Sequence, residues 1–285
     1  SVYAPTRVFC NNILKRFGVE TTYYDPLIGE EIESLLRPNT SVIYTESPGS
    51  HTFEVQDIPA ISNISHAHGV KILMDNTWAS PLFFKPFEHG VDISIQAATK
   101  YIVGYSDVML GTVTATKEAW PELRDCIGNM GQCAGPDDLY LAQRGLRSMA
   151  VRLHQHQSNA MQIAEWLQSR PEVRQVLYPA LPGAPGHEIW KRDFHGASGL
   201  FAFELQPFSE KAIEAMLDGM RLFGMGYSWG GYESLLIPEN IRKIRTAVPW
   251  RFDGPLLRIH IGLEDVEDLK DDLKYGLERL QNFHG

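Results

Sequence analysis

The stretch Val70-Lys71-Ile72-Leu73-Met74-Asp75-Asn76-Thr77-Trp78 decides the fold. Its first five residues are nearly all apolar and predict a strand, and polar residues follow directly where that strand ends. Three more short runs on either side also predict strands, over 41–45, 91–95 and 108–114. Between the first two strands a helix is predicted over 57–68, with Asp57 as its N-cap and Gly69 after its end. Strands separated by helical stretches predict right-handed crossovers and a mostly parallel sheet that is covered on both faces.

A long helix is predicted to divide the chain into two domains. Apolar residues keep helical spacing from about 136 to 169, and Gly145 within this helix indicates a kink or a close packing point. Beyond the helix, strands are predicted over 200–205 and 256–261, and helices over 209–220 and 265–281. We therefore expect a first domain over 1–145 and a smaller α/β domain with a mixed sheet over 146–285.

The composition excludes several classes of protein. Of the 285 residues, 44% are apolar and 21% are charged, which is ordinary for a globular chain. The net charge of −9 argues against binding nucleic acid or an anionic membrane through the overall field. No apolar run approaches the roughly 18–20 residues that span a bilayer, and the first five residues do not resemble a signal peptide. Three cysteines without a CxxC pair favour a reducing compartment, so we expect the cytoplasm.

The histidines do not indicate a metal site. His66 and His68 lie two residues apart, as do His154 and His156. On a helix this spacing directs the side chains to different faces, because neighbours lie three or four residues apart. We expect no metal.

An acid and a lysine follow two neighbouring predicted strands. Asp75 ends the strand at 70–74, and Lys100 comes shortly after the strand at 91–95. Ligands bind at such strand ends in open α/β sheets. One interpretation is a salt bridge at the rim of the sheet. The other is a pyridoxal phosphate site, since that cofactor needs a lysine for covalent attachment and an acid to keep its ring nitrogen protonated. Thr99 would offer a hydroxyl to the phosphate.

An ordered set of motifs resembles the transsulfuration family of pyridoxal phosphate enzymes. The motifs are Asp75-Asn76-Thr77-Trp78, Ala98-Thr99-Lys100-Tyr101 with Gly104, Ser106 and Asp107, Ser198-Gly199, and Leu257 to Glu264. The similarity extends from residue 1 to about 280. Tyr227 to Ser234 is most similar to the branch of bacterial cystathionine β-lyases. The resemblance implies fold type I, with a cofactor domain of mostly parallel sheet and a smaller carboxyl-terminal α/β domain.

The resemblance also implies a role for each matching cofactor residue. Lys100 would carry the cofactor covalently and shuttle protons. Asp75 would pair with the pyridinium nitrogen, and Thr99 would contact the phosphate. Tyr3 would stack on the cofactor ring and assist proton transfer.

Three residues further along the chain match the substrate site of the family. Arg258 would bind the α-carboxylate of the substrate, a role that suits a planar guanidinium. Ser228 and Trp229 would line the same region and orient that carboxylate. Without the resemblance, an arginine in an apolar strand would need a partner.

The implied reaction is the β-elimination of cystathionine to homocysteine, pyruvate and ammonia, a step of methionine biosynthesis. Two alternatives stay open: another reaction of the family, that of a γ-lyase or γ-synthase, and a catalytically silent chain that serves as a structural or binding module. The resemblance further implies a homotetramer built as a dimer of dimers.

Two positions depart from the pattern of the wider family. Position 97 is Ala where many relatives have a phosphate-binding Ser, and position 105 is Tyr where His is usual. The family's upstream phosphate loop, and the Tyr and Arg that a neighbouring subunit supplies, have no match in the chain. We therefore expect the chain to be the carboxyl-terminal portion of a longer enzyme.

Overall fold

The first sheet carries the predicted strand ends. The computed structural model describes residues 2–242 and 244–283, and within them eight strands form two four-stranded sheets. The first sheet has its strands in chain order: β1 (Val42–Glu46), β2 (Lys71–Asp75), β3 (Ile93–Ala97) and β4 (Gly111–Ala115). The first three run parallel, and β4 is antiparallel to β3. The predicted α/β class with a mostly parallel sheet is confirmed, although β4 begins three residues later than expected.

The second sheet differs from the predicted one. Its order is β5-β6-β8-β7, with β5 (Val173–Leu177), β6 (Leu200–Leu205), β7 (Leu235–Glu239) and β8 (Leu256–His260). All neighbouring pairs are antiparallel, so the expected mixed sheet is wrong. Neither β5 nor β7 was predicted. Strand β7 contains Pro238, which an edge strand tolerates because its outer side needs no backbone donor.

Helices cover the sheets and join them. They are α1 (Ala4–Val8), α2 (Ile58–Ala67), α3 (Ser80–Phe83), α4 (Trp120–Asn129), α5 (Pro136–Gln168), α6 (His187–Asp193), α7 (Glu210–Asp218) and α8 (Val266–Gln281). The predicted cap of α2 is present, since Asp57 Oδ1 accepts the backbone N–H of Ala60 at 3.1 Å. Helix α5 agrees with the long predicted helix. Gly145 is a point of close packing, because a Cβ there would lie 2.2 Å from the carbonyl oxygen of Val103.

One apolar core connects both sheets. A single cluster of buried side chains extends from Ile32 to Leu280. At its centre Trp78, just beyond β2, donates its indole N–H to the carbonyl of Leu200 at 2.8 Å. Its ring also packs edge-on against Tyr178 and Phe194, with centroids 6.4 and 6.3 Å away. The division at residue 145 stays a prediction.

None of the helices within 2–242 and 244–283 combines the length with the apolar composition of a membrane-spanning segment.

Candidate active site

The carboxyl ends of the parallel strands meet at one edge of the first sheet. Because β1 and β2 are in register, Glu46 at the end of β1 lies beside Asp75 at the end of β2. Lys100 follows three residues after β3 ends. This edge opens into a cleft of about 1580 Å³. Five of the seven predicted site residues line the cleft: Tyr3, Asp75, Thr99, Lys100 and Ser228.

Lys100 is the centre of the site. Its Nζ donates a hydrogen bond of 2.8 Å to Ser228 Oγ and lies 5.1 Å from the ring centre of Trp229. Burial, followed by the positive charge of Arg258, lowers the pKa of Lys100 from 10.5 to about 8, while Asp75 acts in the opposite direction. At neutral pH an amine with this pKa is unprotonated in a larger fraction of molecules than an ordinary lysine, so more of it is available to attack an aldehyde or to accept a proton.

The edge of the sheet also holds two acids, of which Glu46 is buried and Asp75 is partly buried. Burial raises the pKa of Asp75, although hydrogen bonds from Thr77 and Tyr44 oppose the shift. The backbone N–H of Thr77 donates to Asp75 Oδ1 at 2.9 Å. Burial and the nearby Asp75 raise the pKa of Glu46 to about 7. The pKa values of both carboxyl groups are raised, so a cation at this edge would stabilise their ionised forms. A protonated ring nitrogen is such a cation, so the edge fits the ring of pyridoxal phosphate.

Tyr3 reaches the cleft through a contact with Glu46. Its backbone N–H donates to Glu46 Oε2 at 2.8 Å, while Glu46 Oε1 accepts the backbone N–H of Ser50 at 2.9 Å. The phenol ring is half-exposed and lines the cleft. Glu46 therefore fixes the position of Tyr3 at the strand ends.

Thr99 is already engaged by the backbone. Its hydroxyl accepts the N–H of Leu110 at 2.8 Å and lies 3.2 Å from the carbonyl oxygen of the same residue, to which it donates. Phosphate oxygens accept protons, so a contact with phosphate requires this hydroxyl proton to turn away from Leu110. At the two departures from the family pattern, the N–H of Ala97 donates to Thr77 Oγ1 at 2.9 Å, and the phenol oxygen of Tyr105 lies 3.3 Å from Ser148 Oγ.

Arg258 lies on the interior strand β8 and has the partner that its position requires. Its Nη2 donates to the carbonyl of Tyr227 at 2.8 Å, and its Nη1 lies 3.2 Å from Glu239 Oε1. Burial lowers the pKa of Arg258, and the charge of Glu239 is the largest opposing effect. The guanidinium keeps donors beyond these two contacts, and a carboxylate can accept them in pairs.

The loop 227–230 brings two predicted residues of the second half to Lys100. Gly230 has a φ of +84° and donates its N–H to His260 Nε2 at 3.1 Å. His260 Nδ1 therefore carries the proton and donates to the carbonyl of Glu233 at 3.1 Å. Burial lowers the pKa of His260 well below its usual value, which keeps the ring neutral. A Cβ at position 230 would lie 3.0 Å from the Lys100 backbone, so only glycine lets the loop pack this closely.

Sequence reasoning missed three residues that shape the site. Glu46 directly follows the apolar part of a predicted strand, as Asp75 does, so the same rule would have found it. Glu239 belongs to an unpredicted strand. His260 lies within the motif Leu257 to Glu264, but its contact with Gly230 depends on the fold.

Within 2–242 and 244–283, no group of three or more His, Cys, Asp or Glu side chains is arranged to hold a metal ion.

Comparison with known proteins places these features in a family. The model of the Cys/Met metabolism PLP-dependent enzymes matches residues 1–278. A "Putative cystathionine beta-lyase" of Rhizobium johnstonii is 53% identical over 97% of this chain and 70% of its own length. The "Cystathionine beta-lyase MetC" of Escherichia coli is 48% identical over 98% of this chain and 72% of its own length.

A solved structure agrees with the sequence comparisons. The crystal structure of metB from Corynebacterium glutamicum superimposes with a TM-score of 0.90 at 33% identity, over 98% of this chain and 73% of that chain. The likeness thus includes both sheets and both halves of the site. The chain belongs to the family of Cys/Met metabolism PLP-dependent enzymes.

Proposed function

We propose that this chain catalyses the β-elimination of cystathionine to homocysteine, pyruvate and ammonia. The observation that carries the proposal is the position of Lys100 Nζ. It lies 2.8 Å from Ser228 Oγ, and the charges of Arg258 and Asp75 act on its pKa in opposite directions. The cystathionine β-lyases that are 48% and 53% identical to the chain support the choice of reaction.

Four residues would hold the cofactor that the family uses, pyridoxal phosphate. Lys100 would attach it covalently, Asp75 would face its ring nitrogen, Tyr3 would stack on the ring, and Thr99 would contact the phosphate. When bound, the cofactor supplies an acceptor for the electron pair that is released at the α-carbon of the substrate. Asp75 keeps the ring nitrogen protonated because a buried carboxylate stabilises an adjacent cation.

Lys100 also moves the protons of the reaction. With a pKa of about 8, the free amine can accept the α-proton near neutral pH and return a proton to the leaving sulfur. Ser228 Oγ holds the amine by its 2.8 Å hydrogen bond, which limits the positions that Nζ can take. Tyr3 also lines the cleft, and its phenol assists this proton transfer.

Arg258 binds the α-carboxylate of the substrate. Its contacts to Tyr227 and Glu239 leave donors available to a carboxylate. Trp229 packs beside Lys100 and, with Ser228, limits the orientations of the bound amino acid. The acidic chain thereby presents a local cation to an anionic group.

The test is a product assay with a matched lysine control. The chain is incubated with cystathionine and pyridoxal phosphate, and pyruvate and homocysteine are measured. Lys100→Ala should abolish both turnover and the absorbance of the bound cofactor, because it removes the attachment point. Lys117→Ala makes the same change at an exposed lysine and should alter neither.

The same assay separates the alternatives. Formation of 2-oxobutyrate and cysteine would indicate γ-elimination in place of the proposed reaction. A chain that binds no cofactor, even with excess pyridoxal phosphate, would act as a structural or binding module. Turnover that persists in Lys100→Ala would contradict the role of the lysine.

We also propose that the chain assembles as a homotetramer, a dimer of dimers, in the cytoplasm. Large apolar side chains that are exposed on α5, at Leu139, Tyr140, Leu146 and Val151, favour an assembly that covers them. Three free cysteines favour a reducing compartment. Light scattering after size exclusion tests the mass of the assembly, and cell fractionation tests the compartment.

A further inference from the structure

A histidine from the first half of the chain touches the acid beside Arg258. His51, in the loop after β1, places Nδ1 3.0 Å from Glu239 Oε2. The other carboxylate oxygen, Oε1, lies 3.2 Å from Arg258 Nη1. All three side chains are at least nine-tenths buried, with exposed fractions of 9%, 9% and 7%. His51, Glu239 and Arg258 thus form a buried row that ends at the proposed carboxylate-binding residue.

The contact between Glu239 and Arg258 balances charge without using a directed hydrogen bond. Among the described residues, Glu239 Oε1 has no hydrogen-bond partner, although the cation lies close by. Burial alone would raise the pKa of Glu239, but the hydrogen bond to His51 and the charges of His51 and Arg258 outweigh burial and lower it. The carboxylate is therefore ionised at neutral pH, and its second oxygen is engaged by His51 Nδ1.

We propose that His51 is a positioning residue that restrains Glu239, so that Arg258 stays charge-balanced while its donors remain available to an amino-acid carboxylate. A free carboxylate beside a buried guanidinium would turn to pair with it through both oxygens. Glu239 would then occupy the donors that a substrate needs. The inference rests on the proposed function only in taking an α-carboxylate as the ligand of Arg258.

The backbone at His51 suggests variants that isolate this hydrogen bond. Its φ is +75°, which glycine and asparagine adopt more readily than other residues. His51→Gly keeps the backbone and removes the donor, whereas the side-chain amide of His51→Asn can replace Nδ1. The loop keeps other anchors in both variants, since Arg245 pairs with Glu54 and donates to Thr52 Oγ1 at 2.8 Å.

The readout is carboxylate recognition in the cofactor-loaded protein. Calorimetry measures the dissociation constants of L-alanine and L-alaninamide, which differ only in the group that Arg258 would bind. We expect His51→Gly to weaken L-alanine binding about tenfold, the effect of losing one hydrogen bond to a charged group. L-Alaninamide binding in His51→Gly, and L-alanine binding in His51→Asn, should stay within about twofold of the unaltered chain. In turnover, the KM of His51→Gly should rise while kcat is retained.

A double variant tests the route through the acid. In Glu239→Gln no charge remains to compete for Arg258, so adding His51→Gly should change L-alanine binding by less than about twofold. Arg192→Gln is the control, because it breaks an ion pair of 2.8 Å to Asp57 that joins the same two halves without contact to Arg258. It should leave both dissociation constants unchanged.

Several results would overturn the inference. One is a folded His51→Gly that binds L-alanine normally, and another is an effect that persists in Glu239→Gln. If His51→Gly does not fold, Glu239→Gln decides alone. L-alanine binding that is tighter or stays within about twofold supports the role of His51, and weakening beyond about twofold contradicts it. An unaltered chain that discriminates between the two ligands but makes no pyruvate overturns only the proposed reaction. One that does not discriminate overturns the role of Arg258 and this inference with it.

Discussion

Replacing Arg258 by glutamine should raise the pKa of Lys100. Burial and the positive charge of Arg258 lower that pKa to about 8, and Asp75 opposes them. Glutamine keeps a polar side chain at position 258 but removes its charge. The protonated form of Lys100 then loses an unfavourable neighbour, and its amine should give up its proton at a higher pH.

The effect on reactivity is large because only the neutral amine attacks an aldehyde. With a pKa of about 8, roughly a tenth of the Lys100 amines are neutral at pH 7, whereas an amine of pKa 10.5 is neutral in about 0.03% of molecules. The site therefore makes Lys100 about 300 times more available than an ordinary lysine. Each pKa unit that Arg258→Gln restores should slow covalent attachment of pyridoxal phosphate about tenfold at pH 7.

The assay is the rate of cofactor attachment as a function of pH, followed by stopped-flow absorbance between about pH 6 and 10. Arg258→Lys is the matched control, since it keeps a cation at position 258, and its profile should stay closer to that of the unaltered chain. Asp75→Asn should shift the profile in the opposite direction. An Arg258→Gln profile that coincides with the unaltered one would refute the electrostatic reasoning, and so would an equal shift in Arg258→Lys.

Three further predictions concern stability and packing. Because burial raises the pKa of Glu46 in the folded chain to about 7, the stability that its proton provides is complete below about pH 4.5 and is lost as the pH rises through 7. The difference in melting temperature between Glu46→Gln and the unaltered chain should therefore be more favourable to Glu46→Gln at pH 8 than at pH 5. Gly230→Ala should cost about 1–3 kcal/mol in urea unfolding and slow cofactor attachment, because its Cβ would displace the loop from Lys100. Asp272→Ala should cost about 3 kcal/mol or more in the same assay, because the buried carboxylate accepts the successive N–H groups of 221–223, and Asp272→Asn should cost less.

Local patterns predicted those elements whose sequence carries a single signal. Strand β2 is a short apolar run with a polar end, and α5 keeps its spacing over 33 residues. Strand β4 was displaced because four of its five residues are exposed, so burial gives it no alternating pattern. Strand β7 was not predicted because a proline such as Pro238 argues against a central strand. That β7 lies at the edge of the sheet is known only from the fold. The directions of the strands in the second sheet depend on their connections, which composition does not reveal.

The residues of the site also fall into those that a local sequence pattern predicts and those that only the fold brings together. Lys100 and Asp75 follow predicted strands, so their meeting at one edge follows from the parallel order of those strands. The contact of Arg258 with Glu239 requires the register of β7 and β8, and β7 was not predicted. His51 and Glu239 lie 188 positions apart, so only the fold brings them together. Their distance along the chain leaves no local pattern that could have predicted the pair.

The burial of Trp78 has a consequence for how the protein is made. This side chain closes the end of β2, three residues after Asp75, and it is covered by Tyr178, Phe194 and the carbonyl of Leu200. Those partners leave the ribosome a hundred or more residues later. During synthesis the end of β2, which carries Asp75, therefore stays exposed with its indole uncovered. Such apolar surface is bound by chaperones and promotes aggregation. The order of translation, as much as the final contacts, thus determines when a competent site first exists.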